Sequence, residues 1–263
     1  MPAYLDKIIA AHRAQAADDR RDPDELLARA AGMPKPRPFT EALVAAGSPT
    51  RLAVISEIKR RSPSKGDLDL KLDPASVAKE YESGGAACLS ILTDREFFGG
   101  SPDDLQGARA ACSIPVLRKD FTVSVADVCD ARLMGADAVL VIVAALTAPE
   151  LSTFLAVADR LDLAALVEVH DGEELRRALD AGATLIGVNQ RDLHTFEVDH
   201  QLAVTLGSSF PSGVVSVAES GIRGPEDAAR LAAAGYDAVL VGEILVRSGD
   251  RRAAVAELVE AHS

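Results

Sequence analysis

Met134-Gly135-Ala136-Asp137-Ala138-Val139-Leu140 ends a helical segment at a glycine and enters an apolar run at once. Glycine tolerates the left-handed backbone on which helices commonly stop. The run of small aliphatics that follows reads as a buried strand. The same design recurs at Ser83-Gly84-Gly85-Ala86-Ala87-Cys88-Leu89, Ala181-Gly182-Ala183-Thr184-Leu185-Ile186-Gly187 and Ala234-Gly235-Tyr236-Asp237-Ala238-Val239-Leu240. The interval is about 50 residues, room for two strand–helix units. The echo therefore marks every second strand of an eightfold α/β repeat. Eight such units close into a (β/α)8 TIM barrel of the usual ~250 residues, and the chain has 263.

Working outward, the apolar runs predict strands at Leu52–Lys59, Ala87–Thr93, Pro115–Phe121, Ala138–Ala144, Ala164–Val169, Thr184–Asn189, Val214–Ser220 and Ala238–Gly242. A doubly wound open sheet is the competing architecture, but no G-x-G-x-x-G follows the first strand. Residues 1–45 read differently. Tyr4–Asp18 has helical spacing at Leu5, Ile8, Ile9 and His12, and Asp22-Pro23 signals a second helix start that runs to Gly32. After the prolines 34, 36 and 38, a short helix begins near Thr40. The expectation is an N-terminal helical extension packing on a barrel of residues 46–263, one structural domain overall.

Hydrophobic content of 48% supports a sizeable core, and with only 4% aromatics Ala and Val must build it. The net charge of −12 argues against nucleic-acid or anionic-membrane partners. A local cationic pocket can still oppose that field and take an anionic small molecule. Cys88, Cys112 and Cys129 lack metal-type spacing and read as reduced core thiols. No secretory leader or membrane-spanning run is visible, so a cytoplasmic protein is expected. Its oligomeric state is not legible, and a monomer is the simplest expectation.

The first strand and its loop, Val54-Ile55-Ser56-Glu57-Ile58-Lys59-Arg60-Arg61-Ser62-Pro63-Ser64-Lys65-Gly66, carry the chemistry. Glu57 and Lys59 sit two apart and so share one face of a strand. The loop offers hydroxyls, cations and glycine, which suit an anion. Other strands also end in polar groups: Lys119 on the third, Glu168 on the fifth, Asn189 and Arg191 on the sixth, Glu219 and Ser220 on the seventh, Gly242 and Glu243 on the eighth. In barrels the carboxyl ends of the strands hold the active site. Buried unpaired charge costs roughly several kcal/mol, so these groups are expected to form one compensated network. Each taken singly could be a solvated loop residue or a structural ion pair.

Ser220-Gly221 after strand seven and Gly242-Glu243 after strand eight read as phosphate loops, since glycine lets backbone N–H groups approach an anion. Ordinary barrel turns are the alternative. No H-E-x-x-H, G-x-S-x-G or Walker sequence occurs. His12, His170, His194, His200 and His262 have no ligand spacing; His170 follows strand five, where it could face the site, but reads first as a surface loop residue. Neither a metal nor an organic cofactor is expected.

The motifs resemble the indole-3-glycerol-phosphate synthase family over nearly the whole chain, in family order and spacing. They are Glu57–Gly66 (the EIKxxSPSxG pattern), Leu92-Thr93-Asp94 with Phe97–Ser101, Leu117–Phe121, Leu166–His170, Gly187–Leu193, Ala218–Ile222 and Val241–Glu243. Gln190 departs from the usual Asn or Ser, and the chain ends soon after the eighth helix, as in monofunctional members. The resemblance implies ring closure of 1-(2-carboxyphenylamino)-1-deoxyribulose 5-phosphate to indole-3-glycerol phosphate, CO2 and water, a carboxy-lyase step of tryptophan biosynthesis. It implies Lys119 as general acid, Glu168 as base or stabiliser of positive charge, and Glu57 with Lys59 as a second acid–base pair. Asn189 and Glu219 would hold substrate hydroxyls, and Arg191 the loops or the anthranilate carboxylate. Lys59, Ser62, Ser220, Gly221, Gly242 and Glu243 would hold phosphate, and Phe98 and Phe121 would pack on the anthranilate ring. Another phosphosugar barrel enzyme, such as phosphoribosylanthranilate isomerase, would need an Asp/Cys pair and gives no reason for Lys119. A non-catalytic phosphate binder would not need the Glu and Lys set.

Overall fold

The computed structural model describes residues 4–48, 51–62, 65–192 and 195–261. Eight parallel strands close into a barrel: β1 (Ala53–Ile58), β2 (Cys88–Leu92), β3 (Val116–Lys119), β4 (Ala138–Ile142), β5 (Ala164–Val169), β6 (Leu185–Asn189), β7 (Val215–Glu219) and β8 (Ala238–Val241). Closure comes from β1, which pairs with β2 through Ile55 opposite Cys88 and with β8 through Ala53 opposite Ala238. The sequence predicts all eight; the fifth has the expected bounds and the others are shorter. The fourth stops at Ile142 because Val143–Ala145 turns into a 3-10 helix. The third stops at Lys119, and the Asp120 carboxylate takes the Phe121 amide at 2.9 Å. Arg61–Ser62 and Gly66–Asp67, expected as loop, form a two-residue antiparallel ribbon tied by Arg61 and Asp67 at 2.7 Å.

The recurrent glycine does what its position requires. Gly85, Gly135, Gly182 and Gly235 all have positive φ, between 84° and 95°. Each lets a helix stop and a strand begin with only four residues between them.

Of the leading helices, α1 (Tyr4–Asp18), α2 (Pro23–Ala31) and α3 (Phe39–Ala46) precede β1. Asp22 caps α2, accepting from the amides of Asp24 and Glu25 at 2.9 and 3.0 Å. Leu26, Ala30, Phe39 and Leu43 are buried in the same apolar cluster as the barrel strands. Arg37 reaches the carbonyls of Ile114 and Arg109, and Arg132 reaches back to the Met33 carbonyl. Cys88, Cys112 and Cys129 are buried and unlinked. Among the described residues, no helix is long and apolar enough to cross a membrane.

Candidate active site

A cavity of about 750 Å³ opens at the carboxyl ends of the strands. Every site residue singled out from sequence lines it: Glu57, Lys59 and Ser62 from the β1 side, Phe98, Lys119 and Phe121, Glu168, Asn189 and Arg191, Glu219, Ser220 and Gly221, and Gly242 and Glu243. Residues more than 180 positions apart thus meet because strand ends converge on one rim.

The centre is a buried charge network. Lys119 Nζ donates to Glu168 Oε2 at 2.6 Å and to Glu219 Oε2 at 3.0 Å. Burial alone would lower the Lys119 pKa, but Glu168, Glu219 and Glu57 outweigh it and hold the ammonium well above its ordinary value. Glu168 goes the other way: burial opposes ionisation, and Lys119 with His170 overcomes it, so its carboxyl is held below the usual range. Glu219 is pushed up to about 7, by burial first, with Glu168 and Glu57 adding repulsion that Lys119 only partly offsets. Its Oε1 is buried with no hydrogen-bond partner among the described residues. Two carboxylates share one ammonium, and their environments split them into an ionised group and a near-neutral one, the arrangement expected of an acid–base site.

Lys59 pairs with Glu57, as two residues on one strand face should. Ser90 Oγ stands 3.5 Å from the other Glu57 oxygen. Gly242 lies against this pair: a Cβ there would come within 2.6 Å of Glu57 Oε1. The sequence reading gave the space at Gly242 to an approaching anion. Its nearest occupant is the Glu57 carboxylate, so a side chain at 242 disturbs the acid–base pair as well. Gly187 has the same relation to Glu219, with a notional Cβ 2.0 Å from Oε1.

The loop after β7 is unusual. Ser220 has φ 64° and Gly221 φ 73°. A non-glycine residue in that region costs about 1–3 kcal/mol and persists only where its surroundings fix it. Gln190 does so, donating from Nε2 to the Ser220 carbonyl at 2.8 Å. Val198 and His200 close over Gly221, where a Cβ would meet Val198 Cγ1 at 2.5 Å. Arg191 holds the covering loop through the Phe196 carbonyl at 3.0 Å, and Asn189 Oδ1 accepts the Arg191 amide at 3.0 Å.

The aromatic wall is Phe98 and Phe121, centroids 6.3 Å apart. Its support was not legible in the sequence. His12 of α1 stacks on Phe121 at 5.4 Å and bonds Asp94 at 3.1 Å. Asp94 in turn accepts the amides of Phe97 and Phe98 at 2.6 and 3.1 Å. His12, Asp94 and Asp120 converge closely enough to offer three atoms to a cation. Their carboxylate oxygens already accept from protein donors, and Arg118 stands 3.1 Å from Asp120, which suits a clamp rather than a metal. Two further residues escaped the sequence reading. Lys65 lines the same cavity as Lys59 and adds a second cation to it. His170, read as a surface residue, is largely buried, with its ring 3.4 Å from Glu168 Oε1. Pro63, Ser64, Leu193, His194 and His262 lie outside the described residues.

The indole-3-glycerol phosphate synthase family model matches residues 5–258. This chain belongs to that family. An indole-3-glycerol phosphate synthase of Parafrankia sp. is 50% identical over 259 residues, covering 98% of this chain and 95% of the relative. One from Mycolicibacterium gilvum is 52% identical over 237 residues, 90% and 86% of the two chains. Among solved structures, thiamine phosphate pyrophosphorylase from Pyrococcus furiosus superposes with a TM-score of 0.60 at 19% identity, covering 81% of this chain and 96% of that one, a likeness of fold alone. Family and relatives make this indole-3-glycerol phosphate synthase family member a carboxy-lyase of tryptophan biosynthesis.

Proposed function

We propose that the ring closure of 1-(2-carboxyphenylamino)-1-deoxyribulose 5-phosphate is carried out by two acid–base groups facing one cavity: Lys119 with Glu168 and Glu219, and Lys59 with Glu57. The observation that carries this reading is Lys119 Nζ held between two buried carboxylates, 2.6 Å from Glu168 Oε2 and 3.0 Å from Glu219 Oε2. As the aromatic carbon attacks the ketone, negative charge grows on the ketone oxygen. The Lys119 ammonium stabilises that charge and gives the oxygen a proton. The two glutamates keep Lys119 charged until then, and a developing alkoxide is basic enough to take the proton late. Loss of CO2 and of the hydroxyl then restores aromaticity. Glu168 serves as base or balances the positive charge that builds on the anilino nitrogen, and Lys59 with Glu57 supplies the second proton-transfer site.

Asn189 and Glu219 hold substrate hydroxyls, Glu219 through the oxygen that has no protein donor. Ser62, Ser220, Gly221, Gly242 and Glu243 hold the phosphate, with Lys59 and Lys65 as countercharge. Phe98 and Phe121 flank the anthranilate ring, and Arg191 secures the loop above it. Residues 1–45 act as an extension of the same structural domain as the barrel of residues 46–263. The chain works without a cofactor, as a cytoplasmic monomer with no nucleic-acid or membrane partner, in keeping with its net charge of −12. Incubation with the carboxyphenylamino ribulose phosphate should produce indole fluorescence in step with CO2 release. Absence of both from folded protein would refute the reading.

A further inference from the structure

Glu168 has a basic side chain beside each oxygen. Lys119 holds Oε2 at 2.6 Å, and His170 Nε2 stands 3.4 Å from Oε1. His170 follows β5 two residues beyond Glu168 and does not line the cavity. Its other ring nitrogen, Nδ1, lies 3.1 Å from Glu174 Oε2, and the same oxygen accepts the His170 amide at 2.8 Å. Glu174 sits in the first turn of α8 (Gly172–Asp180), which Asp171 caps by accepting the Glu174 amide at 2.8 Å. A line of alternating charge therefore runs from the cavity outward: Lys119, Glu168, His170, Glu174.

We propose that His170, as an imidazolium anchored by Glu174, is a positioning residue that keeps Glu168 ionised and aimed while Lys119 gives up its proton. This rests on the reading of Glu168 as base or charge stabiliser. When the Lys119 proton moves to the substrate oxygen, Glu168 loses the cation on Oε2. A buried carboxylate left without a cation takes up a proton, and its role would be lost mid-reaction. On the cavity side Glu219 and Glu57 face the same ammonium and repel further negative charge, while Lys59 is already paired with Glu57. His170 lies behind Glu168, out of contact with substrate, so its charge persists through the step. Burial opposes that charge, but Glu168 and Glu174 on its two sides push its pKa up to about 10.

The test is the pH dependence of kcat, from about pH 5 to 9, for the wild type, His170→Gln, Glu174→Gln and Glu168→Gln. In His170→Gln the acid limb should move up by about two to three pH units, to about pH 7, tenfold per unit in the protonation equilibrium of Glu168. Its kcat should fall about tenfold near pH 6, return to within about threefold by pH 9, and leave KM unchanged. Glu174→Gln should shift the limb in the same direction by less, and it carries the test if His170→Gln does not fold. An acid limb coincident with the wild type in both variants, or an equal loss at every pH, would overturn the proposal. Glu168→Gln separates the two ideas. If it retains full turnover, the role of Glu168 fails and the inference with it. If it is inactive while the His170→Gln limb stays in place, the inference alone fails.

Discussion

Buried charge occurs at both ends of this barrel, and the two ends treat it differently. At the amino-terminal end Asp137 precedes β4. One oxygen accepts the Arg37 amide at 2.7 Å and Arg109 Nη2 at 2.9 Å, and the other accepts the Val116 amide at 2.9 Å. Asp237, at the equivalent position before β8 but exposed, accepts the Ser216 amide and hydroxyl at 2.8 and 2.9 Å. At the carboxyl-terminal end Glu168 and Glu219 divide one ammonium, and Glu219 keeps a buried oxygen without a partner. Arg109 also leaves Nε unpartnered, so the contrast belongs to the acids. A buried acid fully met by amides and guanidinium ties strands and extension together. An acid left short of donors destabilises the empty protein and is available to a ligand.

The comparison predicts where each end fails. Lys119→Ala should lower kcat by about 10²–10⁴ while circular dichroism and melting show a folded barrel; near-native turnover would remove Lys119 from the mechanism. Deleting the residues before 45 acts mainly on the other end, although it also removes His12 from Phe121. It strips Phe39 and Leu43 from the core and Arg37 from Asp137. A loss of several kcal/mol of stability should follow, since large buried side chains are worth roughly 2–5 kcal/mol each. An unchanged melting temperature would show the extension to be dispensable. The smallest effect is expected at His12, which touches neither network. His12→Ala loosens Phe121 and Asp94 and should raise KM about threefold to tenfold with little change in kcat, as loss of about 1 kcal/mol of uniform binding does. An unchanged KM would separate the clamp from substrate binding.

The barrel was legible because the helix-stop glycine repeats and because polar residues at strand ends stand out against apolar runs. Other features left no local signal. Leu140 and Ile142 line the cavity, yet strands buried on both faces carry no alternation to show which side faces in. His12 meets Asp94 across 82 positions, a distance at which no spacing rule applies. His170 was within reach: Glu174 lies one helical turn on, and an i, i+4 His–Glu pair beside Glu168 is a readable pattern. The glycine at 242 was legible but its neighbour was not, because Glu57 comes from the opposite end of the chain.

The central claim is that Glu219 and Asp137, at opposite ends of the barrel, are buried acids of opposite energetic sign, and unfolding free energies of Glu219→Gln and Asp137→Asn against the wild type test it directly. Glu219 is raised from 4.5 to about 7, so between those values the native state binds the proton that the unfolded chain has released. Its favourable contribution is complete below pH 4.5 and is lost as pH rises through 7. Measured at pH 5 and pH 8, Glu219→Gln should gain stability relative to the wild type as pH rises, and at pH 8 it should be the more stable protein. Asp137→Asn should be less stable than the wild type at both values, since it replaces one acceptor oxygen of a saturated carboxylate by a donor. Destabilisation of similar size in both variants at pH 8 would contradict the account.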